Sequence, residues 1–256
     1  MGLLDRDSYR DPLDDDRGYG LGDSVMCNLI VVGLLGVFAA QALSTPVLPF
    51  IPEDERIELF LPYDIRIDGF TRSFALDPAA TAQGHVWRPL TSALLHHPPL
   101  PDARAIYLLV AWNLALFWLA GRSLEWRLGL PELLGFFLVA GLAGNLLAVA
   151  GALLLPAWGP AQPILASPAG AVAGVLVLAA LLFPVTTLGR LRFPTWVLPF
   201  LYAGVHAATF SLRLRTGEHP GMLLGGGLFA WLYWRYGWSL RRLLQGLAES
   251  GPRAGR

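Results

Sequence analysis

Four polar side chains stand in or beside stretches that are otherwise apolar: Asn113, Asn145, His206 and, at the edge of such a stretch, His219. An amide or ionisable group in that setting is costly to keep, and on that ground alone is a candidate for function. The plainer role for each is a hydrogen bond between helices. Small residues make a second pattern. Gly170 and Gly174 lie four apart, and Gly221, Gly225 and Gly226 fall close together further on. Such spacing lets two helix backbones approach closely, though generic packing uses it too. The single Cys27 can form neither an internal disulfide nor a zinc site, and nothing else in the sequence calls for a metal or a cofactor.

The elements that must position these residues follow from composition. The chain has 256 residues, of which 54% are hydrophobic and only 15% charged. Mean hydropathy is +0.50. A soluble domain carries about 25% charge, so disorder, a coiled coil and a soluble disulfide scaffold are excluded. The 19 basic residues, all of them Arg, balance 19 acidic ones. That balance lacks the basic footprint of a nucleic-acid partner; the surroundings it implies are a lipid bilayer. Six apolar runs recur near the length of a membrane span, roughly Ser24–Leu43, Ala105–Ala120, Leu133–Pro156, Ile164–Phe183, Phe193–Leu212 and Gly221–Trp238. The reading is an all-α membrane protein with six transmembrane helices. Polar tails occupy 1–23 and 241–256, and the membrane domain 24–240. Residues 44–104 are a long first external loop, in which Ile57–Tyr63 could lie along the interface; a small extramembrane lobe is the alternative. Most arginines of the short loops and tails fall on the side of the termini, which makes both termini cytosolic. The expected location is a bacterial plasma membrane.

Several segments, taken together, resemble the rhomboid family. Trp87-Arg88-Pro89-Leu90-Thr91, followed by Ala93-Leu94-Leu95-His96, is similar to the family's Trp-Arg-x-x-Thr-x-x-Phe-Leu-His. Asn113 matches its second-span Asn. Gly121 to Gly129, with Glu125 and Arg127 between them, resembles its Gly-x-x-x-Glu-x-Arg-x-Gly loop. Gly141-Leu142-Ala143-Gly144-Asn145 is similar to its third-span motif, and Gly170 to Gly174 to the stretch after its catalytic serine. His219-Pro220-Gly221 with Gly226 resembles its sixth-span His-x-Gly-x-x-x-x-Gly. The resemblance implies a six-helix intramembrane serine protease. Such an enzyme needs a serine at the mouth of span four, a histidine on span six within hydrogen-bond reach of it, and an oxyanion hole completed by a His and an Asn four residues apart on span two.

The match breaks at two of those positions. Fixing the register on Gly170 and Gly174 puts Ala169 where the nucleophile belongs, and four residues before Asn113 stands Leu109. His219 and Asn113 remain. Ser167 could act as an alternative nucleophile from a slipped loop. Followed by Pro168, it better suits the N-cap of a helix. His96 or His97 could stand in for the missing oxyanion donor, but both lie beside Pro98-Pro99 in an outer loop. The reading is therefore a rhomboid-like pseudoprotease that engages transmembrane segments of client proteins, with an active Ser167–His219 protease as the rival. A transporter lacks support, because no charged pair and no inverted repeat is found in the spans.

Overall fold

A computed structural model of the protein describes residues 24–44, 69–96, 104–154, 165–188, 191–211 and 220–237. The two tails, Ile57–Tyr63, His97 and His219 lie outside the described residues. Six longer helices carry the fold: α1 (Val25–Ser44), α5 (Arg104–Leu128), α6 (Leu130–Leu154), α7 (Ala169–Leu182), α8 (Val197–Ser211) and α9 (Pro220–Tyr236). Between α1 and α5 the described residues form three short ones, α2 (Gly69–Phe74), α3 (Pro78–Ala82) and α4 (Arg88–Thr91), and then a 3-10 turn at Ser92–Leu94. Part of the segment expected as a long external loop is thus folded into short helices, as in the alternative of a small lobe.

Among the described residues, α1, residues 107–128 of α5, and α6 are long and apolar enough to cross a membrane. α7, α8 and α9 have 14, 15 and 17 residues, short of the roughly 20 that a span requires. α7 is buried on every side from residue 169 to 176, which marks it as the central helix of the bundle. α6 and α9 pack most closely against it, with α5 and α8 on its other flanks. The main core lies there, and it includes Phe117 set edge-on to Phe137 at 5.2 Å between ring centres.

Three boundaries differ from the sequence reading, each for a local reason. Glu125 and Arg127 were expected in a short loop but belong to the last turns of α5. The helix continues until Gly129, whose φ of 86° only glycine adopts cheaply. Gly129 donates to the Glu125 carbonyl, ending α5, and accepts from the Leu133 amide, opening α6. One residue therefore separates the two helices. The fourth apolar run begins near Ile164, but α7 starts only at Ala169, close to the cap that Ser167-Pro168 suggested. Pro168 has no N–H to give to a helix interior, and Leu165 forms an isolated antiparallel bridge with Leu76. Between α7 and α8 the chain is not purely helical: β1 (Val185–Leu188) pairs antiparallel with β2 (Leu191–Pro194).

Candidate functional site

The N-terminal end of α7 collects most of the residues singled out above. Ala169 is its first residue and is 0% exposed. Its amide donates to Ser167 Oγ at 3.1 Å, and Ser167 is itself only 3% exposed. The serine hydroxyl thus satisfies one of the amides that a helix start leaves without an intrahelical partner, although Pro168 holds the N-cap position.

Glycines set the distances around this point. A Cβ on Gly170 would meet the Met222 carbonyl at 3.0 Å, one on Gly144 would meet the same carbonyl at 2.6 Å, and one on Gly226 would run into the Gly170 carbonyl. A Cβ on Gly174 would come within 2.7 Å of Ala140 Cβ and 3.1 Å of the Gly226 carbonyl. Gly221 is buried in the first turn of α9. α6, α7 and α9 therefore touch backbone to backbone, which only residues without a Cβ permit.

Asn113 and Leu109, one turn apart on α5, are both buried. Asn113 Oδ1 accepts the Tyr202 hydroxyl of α8 at 2.6 Å. The His206 ring, one turn further along α8, lies edge-on to Tyr202 at 4.2 Å. On α6, Asn145 Nδ2 donates to the Pro89 carbonyl at 2.7 Å and to Ser92 Oγ at 2.9 Å, tying that helix to the lobe.

Trp87 and Arg88 act within the lobe. Arg88 Nη1 donates to the carbonyls of Arg72 and Ala75, each at 2.9 Å. Trp87 Nε1 donates to that of Ser73 at 3.3 Å and Thr91 Oγ1 to that of Phe74 at 2.7 Å. Four consecutive carbonyls at the end of α2 are thereby satisfied by side chains of one short motif, where the negative end of the helix also favours a cation. Gln41 of α1 pairs with the backbone of His96 through both halves of its amide, at 2.7 and 2.9 Å. The His96 ring is buried edge-on against Phe38, and its two nitrogens have no hydrogen-bond partner among the described residues.

At the other end of the bundle, Glu125 reaches across to α1. Its two oxygens accept the amides of Met26 at 2.9 Å and Cys27 at 2.8 Å. These are early amides of α1, and a carboxylate there meets both the unpaired donors and the positive helix end. Arg127 sits in the last turn of α5. Glu132, in the first turn of α6, accepts the Tyr233 hydroxyl of α9 at 2.6 Å. Sequence reasoning passed over Glu132, Gln41, Tyr202 and Tyr233. An acid just after Gly129-Leu130-Pro131 is a legible helix-start signal, and Gln41 is, with Asn28, one of two amides in an apolar run. The two tyrosines carry no such signal, because their hydroxyl partners sit on distant helices.

What this arrangement can do chemically is limited by its groups. At the start of α7 the side chains are those of Ala169, which has no nucleophilic group, and Ser167, whose Oγ accepts a backbone amide. Long apolar helices packed round a buried centre define an integral membrane protein. The chain belongs to the family described as Eukaryotic integral membrane protein (DUF1751), which matches residues 25–240. No curated protein matches the chain. The family is one of eukaryotic membrane proteins, which overturns the expectation of a bacterial plasma membrane. Composition carries hydropathy but not the kind of cell.

Proposed function

We propose that the protein is a rhomboid-like integral membrane protein of six membrane helices that has no proteolytic activity and binds transmembrane helices of client proteins. The observation that carries this reading is Ala169, fully buried at the start of α7 where the resemblance calls for the nucleophile, its amide held by Ser167. Losing a nucleophile removes the covalent route altogether. Leu109 removes an oxyanion donor, which by itself costs about 10²–10³ in rate. The glycine-lined crossing of α6, α7 and α9, the lobe tied down by Trp87 and Arg88, and the buried Asn113 support retention of the scaffold without its chemistry. α7 at 14 residues is short for a span, but a helix enclosed by protein need not match the bilayer by its own length.

The test is reconstitution with a labelled model transmembrane segment. The segment is expected to co-purify or crosslink with the protein and to stay intact, equally so in Ser167→Ala. Cleavage that is lost in Ser167→Ala or His219→Ala would install the rival protease; intact segment with no association would remove client binding.

A further inference from the structure

The two ends of the bundle differ in charge. At one of them α1 begins, α5 ends and α6 begins, joined through Glu125 and Gly129. α9 ends there too, since Tyr233 bonds to Glu132. α7 runs antiparallel to α6, with Gly170 beside Gly144 and Gly174 beside Ala140. It therefore finishes at the same end, and the β1–β2 hairpin follows it. The described residues place four arginines here, Arg122, Arg127, Arg192 and Arg235, against two acids, Glu125 and Glu132. Both carboxylates are buried and serve the fold: Glu125 holds the amides that open α1, and Glu132 accepts the Tyr233 hydroxyl. The end is left with an excess of positive charge.

Three of these arginines stand beside aromatic rings. The Arg122 guanidinium lies over the Trp118 ring at 4.4 Å. Its Nε is shut off from solvent and has no hydrogen-bond partner among the described residues. Arg235 is exposed and lies over the Tyr236 ring at 5.9 Å. Arg192 is exposed on β2, and Trp196 just beyond it is 56% exposed. Arginine at one side of a membrane, with Trp and Tyr at the same level, is the pattern of the headgroup layer. Leu29 of α1 and Leu134 of α6 are exposed close to this end, so hydrocarbon begins just beneath it. Arg122 then stands where hydrocarbon meets headgroups. A cation at that depth calls for a counter-charge, and the buried acids do not supply one. A lipid phosphate does, because its oxygens match the guanidinium fork.

We propose that this end of the bundle binds anionic phospholipids, with Arg122, Arg192 and Arg235 taking the headgroup phosphates. The net negative headgroup is what the unneutralised arginines select; a zwitterionic lipid brings its own cation and loses that attraction. The inference holds whether or not the protein binds client helices. The test titrates the full chain in detergent micelles with phosphatidylserine or with phosphatidylcholine of the same acyl chains, and counts bound lipid by native mass spectrometry. Phosphatidylserine is expected to bind more tightly. The triple variant Arg122→Gln, Arg192→Gln, Arg235→Gln should lose that preference, by roughly fivefold for each arginine removed, with phosphatidylcholine binding unchanged. Arg192→Gln alone, at an exposed position, should show one such step. Equal binding of the two lipids by the unmodified protein would overturn the proposal without any variant, and so would a preference that persists in both variants. Inorganic phosphate at matching concentration should not displace phosphatidylserine. Displacement would overturn the lipid assignment in favour of a site for free anions.

Discussion

A carboxylate buried at the end of one helix does not usually serve as the cap of another, yet Glu125 takes two amides at the start of α1. Charge-assisted bonds of this kind are stronger than neutral ones. Glu125→Ala strands both amides and is expected to cost about 1–3 kcal/mol, with Glu125→Gln losing less because one acceptor oxygen remains. Unfolding in mixed micelles reads the difference, and an unchanged stability in Glu125→Ala would contradict the assignment. His96 gives a pH dependence. Burial pushes its imidazole down from 6.5 to about 4. The folded state therefore prefers the neutral ring, a contribution fully present above about pH 6.5 and lost as pH falls towards 4. Stability followed between pH 7 and 4 should fall in the native protein and fall less in His96→Phe. Parallel curves would show that the ring is not the sensitive group.

At the scale of elements, the crossing of α7 and α9 is where side-chain size matters most. A Cβ on Gly226 would meet backbone of α7, which cannot rotate away, whereas on the neighbouring Gly227 it would touch only Val177 Cγ2 at 3.6 Å. Gly226→Ala should therefore destabilise by about 1–3 kcal/mol or more, the usual cost of overpacking. Gly227→Ala should be neutral or mildly stabilising, through helix propensity. Equal effects would mean that the two helices do not meet at this face. Much of this was legible beforehand: each apolar run contains a helix, because the bilayer-length signal is long and repeated. What escaped is what a single strand of text cannot carry. The end of α5 depends on one backbone dihedral at Gly129, the start of α7 on a bridge between Leu165 and the distant Leu76, and the lobe on four carbonyls gathered by Trp87, Arg88 and Thr91. The hairpin after α7 was missed because four-residue strands are too short for periodicity to show. Around Ala169 the motif spacing already told which side chain stood at the start of α7, and Ser167-Pro168 already suggested the cap that holds its amide.

For the whole molecule, one buried helix enclosed by the others makes a scaffold in which the start of α7 is fixed from three sides: by Ser167, by the glycines of α6 and α9, and by the lobe held through Asn145. If that scaffold has shed only its chemistry, returning single groups should not revive it. Ala169→Ser alone is expected to stay inactive, since Leu109 leaves the oxyanion unheld and the members of a catalytic unit do not add. Ala169→Ser with Leu109→His should do better in a cleavage assay. Activity in the single variant equal to that of the double would show that the α5 position is not part of the machinery. The most direct measurement is reaction of the purified, unmodified protein with a fluorophosphonate probe for activated serines, read by mass spectrometry. The account predicts no labelling at any serine. Labelling at Ser167 that vanishes in His219→Ala would contradict it and make the protein an active intramembrane serine hydrolase.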